Sequence, residues 1–283
     1  MAPLRLRRPR RLILAAGLAA ALLPGVRDAA AQAPLVLFGA GSLRETMGEV
    51  AATYARDAGV EVRTAFGFSG LMRERIEHGE RADLFASADM GHPERLLREG
   101  RAVRVVMFTR NALCVVAAPG TDLSPATLLD RLLDPGLPLG VFPALRDPIG
   151  DYTLALFRRI EAHRPGAGAA LRTRATVVSE AMVGRPLAPG EDWAVALLRD
   201  GVVRLRISYC STMRNRLLRQ VPGLEVAHLA PELRVGPEYG FAVLRGAAHE
   251  AADLALFILS PQGQRILATH GFAPIVLPEA DPR

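Results

Sequence analysis

This sequence predicts an α/β fold, and three observations carry that prediction. Short apolar runs alternate with amphipathic helical segments along most of the chain. Glycine- and serine-rich turns stand where such a run ends and a helix begins. About 250 residues follow a leader-like start, enough for one large domain or two lobes of ordinary size.

The elements are read in order. Residues 35–38 form an apolar run ending in glycines, and residues 42–57 repeat apolar positions at helical spacing through Leu43, Met47, Val50, Ala51 and Tyr54. Residues 60–66 alternate as a strand does, and residues 69–79 return to helix, stopping at Gly79. Residues 83–86 are another strand, and Pro93 opens another helix. Residues 103–117 make one long β-rich stretch closed by Pro119-Gly120. Strands are then expected at 139–142, 203–209, 224–229 and 239–244, with helices at 150–163 and 191–200 and over 247–269.

The start of the chain bears on compartment and charge. Arg5, Arg7, Arg8, Arg10 and Arg11 precede an apolar run from 12 to 26, and Ala31-Gln32-Ala33 has the form of a cleavage site. Together these read as a secretory signal spanning residues 1–33, cut near Ala33, and therefore as a periplasmic protein. Arg10-Arg11 leaves twin-arginine export open. The leader holds six arginines and one aspartate, +5 of the chain's +6, so about +1 remains. The high pI thus gives no argument for a nucleic-acid partner.

Four segments have residues suited to binding. Gly39-Ala40-Gly41-Ser42 lies between a strand and a helix, where unpaired N–H groups face a ligand; Ser42 with Glu45 also has the form of a capping box. Arg44 stands where a dinucleotide fingerprint needs glycine. Phe66-Gly67-Phe68-Ser69-Gly70 marks the next strand-to-helix junction, and Leu71 breaks the G-x-S-x-G pattern of an esterase. Two serines following two successive strands mark the carboxyl edge at which open α/β sheets hold ligands. Asp147-Pro148-Ile149-Gly150-Asp151-Tyr152 opens another helix, and Tyr209 ends a strand within Ser208-Tyr209-Cys210-Ser211. Glu191-Asp192 reads as favourable charge at a helix start.

Nothing composes a catalytic set, which leaves an exported hydrolase only as a remote alternative. The six histidines lack metal-ligand spacing, and Glu180, Glu191 and Asp192 are the nearest approach to catalytic carboxylates. Cys114 and Cys210 lie outside any C-x-x-C and away from histidine in the sequence, so buried free thiols are the simplest reading, although export permits a disulfide.

Taken in order, these motifs resemble the periplasmic molybdate-binding family of ABC transporters. The matching segments are Gly39-Ala40-Gly41-Ser42-Leu43, Phe68-Ser69-Gly70 and Ala82-Asp83-Leu84-Phe85-Ala86-Ser87-Ala88-Asp89, then Arg110-Asn111-Ala112-Leu113, and finally Leu259-Ser260-Pro261-Gln262-Gly263-Gln264. The chain resembles a divergent member. Phe68 and Ile149 stand where small residues are usual, and the stretch 179–192 is long and proline-rich.

The resemblance implies a two-lobed type II binding-protein fold with mixed sheets flanked by helices and two crossing segments, near 108–117 and 228–240. Lobe 1 would comprise residues 34–112 and 236–283, and lobe 2 residues 113–235. It implies no enzyme activity, no cofactor and no direct metal cation. The implied ligand is a tetrahedral oxyanion, molybdate or tungstate, or by the alternative another oxyanion, a carboxylate or ferric iron. Ser42, Ser69, Ile149, Gly150, the helix start at Glu191 and Tyr209 would hold it. The implied partner is the membrane permease of an ABC importer, served by a monomer. For ferric iron, adjacent tyrosines are absent among Tyr54, Tyr152, Tyr209 and Tyr239.

Overall fold

The computed structural model describes residues 33–275, so the expected leader, apart from Ala33, and the last eight residues lie outside the described part. Two five-stranded sheets organise the chain.

In the first half, β1 (Leu35–Ala40), α1 (Arg44–Ala58), β2 (Val62–Gly67), α2 (Ser69–Glu77), β3 (Leu84–Ser87), α3 (Gly91–Arg98) and β4 (Ala102–Arg110) follow one another. Then come β5 (Leu113–Ala117), α4 (Leu128–Leu133), β6 (Leu139–Val141), α5 (Pro148–His163), α6 (Ala167–Arg174), β7 (Thr176–Val177), α7 (Trp193–Arg199) and β8 (Leu205–Tyr209). After β8 a continuous helical segment runs through α8 (Cys210–Thr212), a π-helical turn (Met213–Leu217) and α9 (Leu218–Gln220). β9 (Glu225–His228), β10 (Glu238–Leu244), α10 (Glu250–Leu259) and α11 (Pro261–Thr269) complete it.

The first sheet has the order β2-β1-β3-β10-β4 and the second β7-β6-β8-β5-β9. In each, four strands run in one direction and the fifth, β10 or β5, lies antiparallel to both its neighbours. The sheets are therefore mixed. The stretch 103–117 divides into β4 and β5, which belong to different sheets; Asn111 and Ala112 make the crossing. Apolar patterning runs through the break, so periodicity alone does not reveal it. The return crossing is 229–237, and the two are tied where Asn111 N–H donates to Pro237 O at 3.0 Å. Asn111 Nδ2 also donates to Ser211 Oγ and to the Tyr239 hydroxyl.

Local chemistry accounts for the elements. α1 buries Met47, Val50, Ala51 and Tyr54 and stops at Gly59, whose φ of 67° suits glycine. α5 begins with Pro148 after an Asp147 cap, and α11 with Pro261 after a Ser260 cap. β1, β3, β5 and β8 are buried almost throughout. The helices α4 and α6 and the strand β7 were not expected; they are six, eight and two residues long, short for a periodic signal.

The cysteines correct the expectation of free thiols. Cys114 on β5 and Cys210 just after β8 form a disulfide, because antiparallel pairing sets Leu113 opposite Tyr209. The His228 Nδ1 lies 3.5 Å from Cys114 Sγ, a neighbour invisible in the sequence spacing.

Candidate ligand-binding site

A cavity of about 340 Å³ lies where loops at the carboxyl ends of both sheets meet. From the first sheet come the β1–α1 loop with Ser42 and the β2–α2 loop with Phe68. From the second come the β6–α5 loop with Asp147 and Ile149, the start of α7, and β8 with Arg206, Ser208 and Tyr209. Thr212 and Arg216 close the wall.

Ser42 sits in a single 3-10 turn and does not cap a helix. The capping-box expectation fails because its Oγ is 3.0 Å from the Tyr239 hydroxyl, while Glu45 is bound to Arg216. Tyr239 is fully buried and held from the other side by Asn111, so β10 and the first crossing together fix the position of Ser42. Beside it, Tyr209 packs edge-on against both Tyr239 and Tyr152. Three of the four tyrosines thus meet in space although none is adjacent in sequence. Burial raises the Tyr209 phenol well above its usual value, so it is a neutral donor. Its hydroxyl is buried with no hydrogen-bond partner, as is the Oγ1 of Thr212 on the same wall.

Ser69 is 1% exposed and lies behind the wall made by its neighbours Phe68 and Leu71. Its Oγ accepts the Ala88 amide at 3.2 Å. That bond uses a lone pair and leaves the hydroxyl proton. The next residue, Gly70, donates its N–H to Arg146 O at 3.0 Å and joins the loops of the two sheets. A Cβ there would stand 2.7 Å from that carbonyl oxygen, which only glycine avoids.

Ile149 lines the cavity, and Gly150 lies just behind it, packed against Phe142 and Ala144. Their amides already have internal partners. Ile149 N donates to Asp147 Oδ1 at 3.3 Å, and Gly150 N to Asp147 O at 2.9 Å. Asp147 itself is pushed up to about 7, chiefly by burial, with Asp151 and Asp89 adding to the rise.

Glu191 lies apart from the cavity lining. Its carboxylate is bound by Arg185 and Arg199 and accepts the Ala188 amide. Those bonds hold it far below the usual carboxylate range. The α7 start is instead capped by Asp192, whose Oδ1 takes the Ala194 and Val195 amides. Burial acts to raise Asp192, but the adjacent Arg216 outweighs it and leaves the carboxyl lowered. Arg216 reaches from Asp192 (2.6 Å) across to Glu45 (2.9 Å) and Gly41 O (3.1 Å).

Several lining residues escaped the sequence reading. Arg206 is 3% exposed and lowered to about 10 by burial, against the opposing pull of Asp192, so it stays charged at neutral pH. Phe142 and Trp193 join Phe68 in an edge-on aromatic group. Arg206 lies mid-strand and Trp193 at a helix start, places where neither residue type signals a ligand by itself.

Two sheets, two chain crossings and a cavity between their loops define a two-lobed binding protein of type II. Residues 35–273 match the model of the bacterial extracellular solute-binding proteins, and the chain belongs to that family. An uncharacterised protein of Pasteurella multocida is 33% identical over 84% of this chain and 98% of its own length. The molybdate-binding protein ModA of Escherichia coli is 27% identical over 84% and 88%. The structure of the periplasmic molybdate-binding protein of Azotobacter vinelandii superposes with a TM-score of 0.68 at 18% identity, covering 87% of this chain and all of that one. The Mycobacterium tuberculosis sulfate-binding protein SubI gives 0.69 at 19%, covering 86% and 87%. The last three of these are solute-binding proteins, not enzymes. Proteins of this kind are exported, take up a small ligand and work with an ABC permease.

Proposed function

We propose that this chain captures a tetrahedral oxyanion, molybdate or tungstate first among them, and delivers it to an ABC importer. The observation that carries this reading is the buried Tyr209 hydroxyl, left without a partner on the wall that Ser42 shares. A buried donor without an acceptor costs about 1–3 kcal/mol, and a ligand oxygen removes that cost. Ser42, Ser69 and Tyr209 supply hydroxyls. Ile149 and Gly150 supply amides once the ligand competes with Asp147. The Ala194 turn, rather than Glu191, is the contact from α7. Neutral donors suit a dianion because charge-assisted hydrogen bonds need no full counter-charge. Ferric iron suits the site less, since the Tyr239 hydroxyl is already held by Ser42 and Asn111.

In this reading residues 1–33 are the removable leader. Residues 34–112 with 236–283 form one lobe and 113–235 the other, and the permease recognises the ligand-closed form. The test is a thermal-shift panel of molybdate, tungstate, sulfate, phosphate and chromate. Molybdate or tungstate is expected to raise the melting temperature by mass action, and a Ser42→Ala, Ser69→Ala double variant to lose the rise. A flat response to all five overturns the proposal.

A further inference from the structure

The cavity is larger than a bare oxyanion fills. Its volume of about 340 Å³ falls at the low end of the roughly 300–1,000 Å³ typical of pockets for organic ligands. Four oxygens, each given the ~30 Å³ share of a water molecule, fill only about a third of it.

The remaining wall is chemically distinct. Phe68, Phe142 and Trp193 meet edge-on with centroids 5.7 to 6.4 Å apart, one ring from the first sheet's loops and two from the second's. Arg206 lies against them, its guanidinium 5.5 Å from the Phe142 centroid. It spends one donor on Ala194 O at 2.6 Å, and its buried Nε has no partner. The nearest acid does not neutralise it by contact: Asp192 gives Oδ1 to two amides and Oδ2 to Arg216. Among the described residues Arg206 forms no ion pair. Positions 206 and 209 are three residues apart on β8, about 10 Å along a strand. Period-2 alternation sends the two side chains off opposite faces of the strand, yet both line the cavity, so the two anion-seeking groups stand at separate places on its wall and suit a ligand longer than one tetrahedral ion.

We propose that Arg206 and the Phe68–Phe142–Trp193 wall form a second subsite, so that besides a bare oxyanion the cavity takes an organic acid with an oxyanion head at Ser42 and Tyr209 and a planar carboxylate at Arg206. This rests on the oxyanion reading of the Ser42–Tyr209 end and extends it. The guanidinium presents a planar fork of donors that a carboxylate matches with two parallel bonds, and the rings accept the spacer between the two anionic groups.

Trp193 is the only tryptophan in the chain, so its fluorescence reports ligand entry directly. Titrations of the purified protein would compare phosphonoacetate, 3-phosphonopropionate and 4-phosphonobenzoate with phenylphosphonate and molybdate. At least one carboxylate-bearing phosphonate should bind tenfold or more tighter than phenylphosphonate. Arg206→Met should erase that difference, bringing the affinity ratio of the carboxylate-bearing phosphonates to phenylphosphonate down to about one. If Arg206→Met does not fold, Arg206→Lys, which keeps the charge and loses the fork, should reduce the preference, and the ligand ranking on the unaltered protein decides alone. Molybdate binding with no preference for any carboxylate overturns the second subsite and leaves the oxyanion reading standing. No response to any probe overturns both.

Discussion

The two sides of the cavity are built differently. The first sheet contributes short loops whose working groups are mostly neutral: the Ser42 hydroxyl, the Gly67 and Phe68 turn, and Ser69 behind it. Its one charged lining residue, Arg44, is turned onto Phe66. The second sheet contributes charge and unpaired donors: Asp147, Asp192, Arg206 and the free hydroxyls of Tyr209 and Thr212. Neutral groups in strand-to-helix turns are a general means of holding an anion at open α/β sheets. Buried charges and unsatisfied donors are costly, so their presence on the second side implies that ligand identity is decided there.

The largest test of this asymmetry acts on the scaffold of the second side. The disulfide joins residues 96 apart and adjoins Tyr209. Replacing both cysteines by serine should cost about 4 kcal/mol, a drop of the order of 10 °C in melting temperature by calorimetry. An unchanged melting temperature would show that the second side does not lean on this link.

Tyr209→Phe and Ser42→Ala then separate the two sides by sign. Tyr209→Phe removes a hydroxyl with no protein partner, so oxyanion affinity should fall roughly tenfold or more while stability holds or rises. Ser42→Ala also removes the Tyr239 contact, so both affinity and stability should fall. Calorimetric titration alongside thermal melts reads both quantities.

Asp147 supplies a pH dependence. Its folded value of about 7 lies above the ordinary 3.8, so the folded state holds an extra proton between them. Its contribution to stability is complete below about 4 and is lost as pH rises through about 7. The ionised carboxylate also repels an anion, so affinity should fall roughly tenfold from pH 6 to pH 8. Asp147→Asn keeps a capping oxygen and should flatten that profile.

Arg216 gives the smallest effect. It bridges Glu45 and Asp192 across the cavity mouth with its side chain 14% exposed. Arg216→Met should weaken ligand binding only severalfold, by loosening the closed arrangement, while the uncompensated Glu45 and Asp192 lower stability. A larger loss would make it a direct ligand contact.

The legible parts of the sequence were those with a local signature. Alternating periodicity marked the strands and long helices, and glycine-serine turns pointed to Ser42. A strand end pointed to Tyr209 and a proline-led helix start to Ile149. Three further features depended on contacts distant in sequence. The β4–β5 break lies inside an unbroken apolar pattern, and the Cys114–Cys210 pairing needs the antiparallel register of β5 and β8. Arg206 looks like any strand arginine until Asp192 is seen to be occupied by Arg216. Glu191 was singled out by its charge at a helix start, but arginines at 185 and 199 surround it, and Asp192 does the capping.

The most direct measurement is retention of metal oxyanion by the purified protein after equilibrium dialysis against molybdate, with molybdenum counted by mass spectrometry. One molybdenum per chain, lost when Ser42→Ala and Tyr209→Phe are combined in a protein that still folds, is the predicted result. Molybdenum retained undiminished by that double variant would mean that these two hydroxyls do not hold the ion.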